Sequence, residues 1–60
     1  MRITRITEDK ILDTIKYGDY IEDEDGNAGI VDRIEKITYQ KETHYYFKLR
    51  ERKSAILILK

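Results

Sequence analysis

Residues 44–50, HYYFKLR, alternate with a period of two: Tyr45, Phe47 and Leu49 fall on one side, His44, Tyr46, Lys48 and Arg50 on the other. Successive side chains of a β-strand point to opposite faces, so this run is predicted to be a strand with one apolar and one polar face. Such a strand needs partners. Polar breaks at EDGN (24–27), QKET (40–43) and ERKS (51–54) have the composition of hairpin connections. They separate DYIED (19–23), AGIVDRIEKITYQ (28–40), HYYFKLR and AILILK (55–60), which read as consecutive strands. The pattern predicts a meander of four antiparallel strands, or five if the Ile- and Thr-rich RITRIT (2–7) adds an edge strand. Ile3 and Ile6 are three apart and cannot share a strand face.

Two strands carry further detail. In AGIVDRIEKITYQ the apolar phase changes before Ile37 and Tyr39, which predicts a bulge or sharp bend near Glu35. Gly29 inside the same strand predicts a bulge or a close backbone approach. AILILK is apolar on both faces, so it is expected to lie centrally or under a cover. Ahead of the strands, TEDKILDTIKYG (7–18) reads as a short helix or helical turn. Thr7 is placed to cap it, Glu8 and Asp9 suit its first turn, and Ile11, Leu12 and Ile15 share a face. Gly18 is placed just past its end.

Sixty residues make one domain, and a chain this short buries only about 60% of its unfolded surface. There is no cysteine for a disulfide and no Cys/His cluster for structural zinc, so packing and strand pairing, or a partner subunit, must hold it. An apolar sheet face must be covered. At this size a twisted, bent sheet covers itself by rolling up, and the expected fold class is mainly β, a small barrel with a short N-terminal helix.

The stretch GDYIEDEDGNAGIVDRI (18–34) admits two readings. Counted from Asp23, an EF-hand calcium loop finds Asp23, Asp25 and Asn27 in ligand places, but needs Gly and Glu where Ala28 and Ile34 stand. Its flanks also read as strands. A hairpin turn explains more residues, since Gly26 and Asn27 tolerate positive φ. With Gly18, Asp19, Ile21, Gly26, Gly29, Val31 and Ile34 in place, the stretch resembles the first hairpin of SH3-like small barrels, including KOW-type domains of ribosomal and transcription-elongation proteins. That resemblance implies a four- to five-stranded SH3-like barrel. It departs from RNA-binding members at the hairpin tip, which is acidic here and would repel phosphate.

Charge is balanced, twelve Lys and Arg against twelve Asp and Glu, but unevenly placed. Acids dominate Glu8 to Asp25, and bases dominate Arg33 to Lys60. The simplest consequence is that the two halves pair their charges on folding. No apolar run approaches the roughly 20 residues that span a bilayer, so no membrane association is expected. No stretch of signal-peptide type opens the chain, which is read as cytoplasmic.

His44 stands alone, without Cys, Ser or a second His nearby, and so small a chain offers little enclosed volume to tune carboxylates. Neither an enzyme nor a cofactor or metal site is expected. The candidate binding residues are Tyr39, His44, Tyr46, Lys48, Arg50, Arg52 and Lys53, where aromatics interleave with cations. The expected function is a non-enzymatic module binding a protein partner, by charge or by strand addition at an edge. The alternative is nucleic-acid binding along residues 44–53, with bases stacked on the aromatics. Either a monomer or a weak homo-oligomer joined through AILILK is compatible with the sequence.

Overall fold

The alternation at residues 44–50 becomes the inner and outer faces of a central strand. The computed structural model describes residues 1–51 and 55–60. After a single helical turn, α1 (Asp9–Leu12), come β1 (Tyr20–Glu22), β2 (Ala28–Tyr39), β3 (Glu42–Leu49) and β4 (Ala55–Leu59). The strands pair antiparallel in the order β1-β2-β3-β4, so neighbours in sequence are neighbours in space. Tyr45, Phe47 and Leu49 of β3 are at most 1% exposed, and Ile56 and Ile58 of β4 are buried beside them. The fold is mainly β, four antiparallel strands curled into a half-barrel with one short helix.

β2 makes the curl possible. Its first residues pair with β1 (Tyr20 with Ile30, Glu22 with Ala28), and from Val31 onward it pairs with β3. Val31 lies opposite Leu49 and Arg33 opposite Lys48, so Asp32 is an extra residue, a β-bulge that bends the strand. The bend therefore lies at Asp32, not near Glu35 as the apolar phase predicted. Glu35, Ile37 and Tyr39 continue one regular face, opposite Tyr46, His44 and Glu42. Ile37 and Tyr39 looked out of phase because they are apolar residues on the solvent side. Gly29 does mark a close approach: a Cβ there would stand 3.3 Å from Cβ of Leu49.

The β1–β2 turn is organised by Asp23. Its carboxylate accepts hydrogen bonds from the backbone N–H of Asp25 and of Asn27, at 2.9 Å each, and from the Asn27 side chain at 2.9 Å. Gly26 turns the corner at φ +88°. Glu24 and Asp25 are exposed tip residues, whereas Asp23 is half-buried and structural. Partial burial pushes its pKa up, but the bonds from Asn27 and Asp25 outweigh that and leave it below the ordinary carboxylate value.

The N-terminal segment supplies what the sheet lacks. Ile3 donates its N–H to the Glu22 carbonyl at 2.8 Å, and Arg2 makes a single parallel bridge to Glu22. This anchors Ile3, 0% exposed, in the core and leaves Ile6 83% exposed. Leu12 and Ile15 cover the core from α1 and the turn that follows it. The helix is shorter than the sequence suggested and differently capped. Glu8 is its N-cap without a side-chain bond, while Thr7 Oγ1 accepts the N–H of Thr4. Gly18, at φ +93°, serves a separate turn closed by the Asp19 N–H to the Lys16 carbonyl, six residues beyond the helix end. A single helical turn suffices because burial of Leu12, not helix propensity, holds it.

Charges of the two halves do meet. Asp13 Oδ1 accepts both the Lys36 ammonium and the buried Tyr45 hydroxyl, each at 3.0 Å, and Lys60 reaches the Thr7 carbonyl and Asp9. The bond from Lys36, then that from Tyr45, holds the Asp13 pKa below 3.8. Burial, then the bond to Asp13, raises that of Tyr45.

β4 departs from expectation. It is the last strand of the sheet rather than a central one, and Leu57 and Leu59 are 57% and 54% exposed. An apolar run fixes that a strand is buried on at least one face; whether a second cover exists depends on how much chain is left over. The ERKS turn is seen only at Glu51, and Arg52, Lys53 and Ser54 lie outside the described residues. Among the described residues, no helix is long and apolar enough to cross a membrane.

Candidate interaction face

Cross-strand partners share a face, so the register lays out the outer side of β2, β3 and β4 as rows. One row runs Ile37, His44, Leu59; the next runs Glu35, Tyr46, Leu57; a third runs Arg33, Lys48, Ala55. Tyr39 and Glu42 close one end. Apart from Glu35, the first two rows and Tyr39 make a contiguous apolar and aromatic surface. Ile37 and Tyr39 are each about half exposed there, as are Leu57 and Leu59. His44 sits in the middle, half-buried, with the Tyr39 ring edge-on at 4.9 Å and Glu42 Oε2 3.6 Å from its Nε2.

The opposite end of this face is ionic, and its cations are engaged. Lys48 Nζ and Arg50 Nε both lie 4.0 Å from the Asp32 carboxylate, and Arg33 donates to Glu35 Oε1 at 2.9 Å. The Arg50 guanidinium also stands over the Tyr17 ring, 5.1 Å from its centroid. The bulge that bends β2 is thus the residue that gathers these two bases.

Of the residues the sequence singled out, Tyr39, His44 and Tyr46 come together on one surface. Lys48 and Arg50 are drawn toward Asp32, and Arg52 and Lys53 fall outside the described residues. Sequence reasoning missed Ile37, Leu57 and Leu59 as parts of the same surface. The signal was present: with Ile56 and Ile58 assigned inward, Leu57 and Leu59 must face out, and Ile37 pairs with His44 once the QKET hairpin is closed.

A cleft of about 240 Å³ runs beside β4, lined by Thr4, Arg5, residues 23–25 and Leu57 to Leu59. It is the seam where the curled sheet does not close on the N-terminal segment. Among the described residues, no three His, Asp or Glu side chains converge as a metal ion would require.

Fold and face together define a small curled β half-barrel with an apolar, aromatic outer surface. No protein-family model, no curated protein and no solved structure matches the chain.

Proposed function

We propose that this chain is a non-enzymatic binding module of the SH3-like small-barrel type that engages another protein through the outer face of β2, β3 and β4. The half-barrel is compatible with that type, as is the turn chemistry of residues 18–34. The observation that carries the reading is the contiguous surface of Ile37, Tyr39, His44, Tyr46, Leu57 and Leu59. Contiguous exposed apolar surface on a small protein marks an interaction site, and Tyr is favoured at the centre of interfaces. The absence of cysteine suits a reducing compartment such as the cytoplasm.

The test is a comparison of baits. Wild-type protein, Ile37→Lys and Tyr46→Ala, each checked for an unchanged circular dichroism spectrum, are immobilised and exposed to an extract at moderate salt. Proteins held by the wild type and released by both variants support the reading; identical capture by all three removes it.

Nucleic-acid binding is the second reading, favoured by Tyr39 and Tyr46 as stacking platforms beside Lys48 and Arg50. The shared contact of both cations with Asp32 and the acidic turn at 23–25 weaken the field it needs. Labelled single-stranded and duplex oligonucleotides titrated at two salt concentrations decide it. Salt-sensitive binding that disappears in Tyr46→Ala and Arg50→Ala establishes it, and no binding at low salt eliminates it.

A further inference from the structure

We propose that β4 is a self-pairing edge: two copies of the chain join antiparallel through Ala55–Leu59 about a two-fold axis at Leu57, making one continuous sheet.

The argument begins with the backbone. Thr43 and Lys60 exchange hydrogen bonds, N–H of Lys60 to the Thr43 carbonyl at 2.9 Å and N–H of Thr43 to the Lys60 carbonyl at 3.2 Å. In an antiparallel ladder such bonded pairs alternate with non-bonded ones. With the register of Tyr45 opposite Ile58 and Phe47 opposite Ile56, residues 56, 58 and 60 direct their backbone groups at β3. Ala55, Leu57 and Leu59 therefore direct theirs outward, and β4 is the terminal strand of the sheet. Leu57 and Leu59 are 57% and 54% exposed, and Thr4, Arg5 and residues 23–25 stand across a cleft of about 240 Å³ from them.

The occupant follows from the symmetry of this edge. Antiparallel pairing centred on Leu57 sets Leu57 against its own copy and Ala55 against Leu59 twice. Every outward residue then meets an outward residue, and each of these pairs can exchange two hydrogen bonds. A shift by one residue would set outward groups against inward ones. On the outer face the same register places the large Leu59 beside the small Ala55, and joins the Tyr46–Leu57 row of one copy to that of the other. Ile56 and Ile58 meet on the inner side.

Charge permits the association. The five residues of β4 carry none, and the chain's formal net charge is zero, so two copies meet without net repulsion. Edge strands that stay single are ordinarily guarded by charge, proline or a bulge, and AILIL has no charged residue and no proline. The pairing is isologous, closes at two copies and cannot extend into a fibre through this edge. It shares Leu57 and Leu59 with the outer face of the partner reading above but rests on their backbone groups at the edge, so Ile37, away from that edge, separates the two.

The experiment is sedimentation velocity of the full chain from low micromolar to near-millimolar concentration, with amide hydrogen exchange at both ends of that range. The expected result is a mass that climbs from 7.2 kDa toward twice that value, with slowed exchange at the Leu57 and Leu59 amides only at high concentration. Leu57→Lys places like charges face to face on the axis and is expected to weaken association roughly tenfold or more. The Leu57 side chain is exposed in the single copy, so the fold should persist, which circular dichroism checks. Leu59→Glu alone should also weaken pairing, and adding Ala55→Lys to it should restore it, because the two then meet only in the register centred on Leu57. A constant 7.2 kDa at every concentration overturns the proposal. So does a dimer indifferent to Leu57→Lys, or protection of Leu57 and Leu59 that appears only with a foreign protein. Ile37→Lys, which strikes the outer-face reading, should leave the self-association unchanged, so the two readings fail separately.

Discussion

Replacing Ile3 by alanine is the sharpest test of how this half-barrel is held. Ile3 belongs to a segment joined to the sheet by one parallel bridge, yet it is 0% exposed and packed among core residues. Truncating a fully buried isoleucine removes its transfer free energy and leaves a cavity, together about 2–5 kcal/mol. A chain of this length has only about 3–9 kcal/mol in total, at roughly 0.05–0.15 kcal/mol per residue. Ile3→Ala should therefore remove about a fifth of the stability at least, and all of it at the upper end of the range. With a urea slope of about 1 kcal/mol per molar for so small a chain, the unfolding midpoint should fall by about 2 M or more. Ile3→Val, at about 0.5–1.5 kcal/mol, keeps the transition measurable if the alanine variant is unfolded at the outset. Ile6→Ala, three residues on and 83% exposed, should stay within about 0.5 kcal/mol of the wild type. Urea titrations followed by tyrosine fluorescence and far-ultraviolet circular dichroism measure all three. Equal midpoints for Ile3→Ala and Ile6→Ala would falsify the claim that the N-terminal segment completes the core.

Other positions give independent checks. Gly29→Val drives new atoms against Leu49, where a Cβ already meets its Cβ at 3.3 Å, and should cost about 1–3 kcal/mol in thermal melts. Gly26→Ala enters open space at φ +88° and should cost only about 1–2 kcal/mol, from backbone strain alone. Asp23→Ala deprives the turn of three accepted bonds, and exchange of the Asn27 amide should accelerate. The pKa values of Asp13 and Asp23 are depressed, so the stability they contribute is present above 3.8 and lost as pH falls through their folded values. Lys36, held above 10.5 chiefly by its bond to Asp13, and Tyr45, held above 10.0 chiefly by burial, act in the opposite sense. Their contributions are complete below those values and lost as pH rises through the folded ones. Denaturation midpoints should be level between about pH 5 and 9 and decline on either side. Asp13→Asn should flatten both limbs, and an unchanged profile would sink the linkage.

The strands were legible because burial imposes a period that the eye can follow. Tyr45, Phe47 and Leu49 announce β3, and Gly26-Asn27 announces the first hairpin. The bend was legible in kind and misplaced in position: periodicity reports which side a residue takes, and apolar Ile37 and Tyr39 on the solvent side imitated a phase shift. The bulge at Asp32 did leave a trace, since apolar Val31 faces in and Arg33, two residues on, faces out, a pair that an unbroken strand keeps on one face. Asp13 gave no hint of its joint contact with Lys36 and Tyr45, which depends on where a helical turn docks on a sheet. Likewise, the candidate residues Tyr39, His44 and Tyr46 were visible as interleaved aromatics, whereas their junction with Leu57 and Leu59 required the strand order. The basic members of that set were identifiable as charges, but not as neighbours of Asp32.

The meander has a kinetic corollary. The β2–β3 contacts close across the turn at residues 40–41, a short loop that forms early. The contact between Lys60 and Thr7 joins residues 53 apart, and that between Ile3 and Glu22 spans 19. Closure entropy delays such contacts until the hairpins exist to receive them. The seam is therefore the last part of the molecule to assemble and the first to release, so on opening the N-terminal segment departs while the β2–β3 hairpin is still paired.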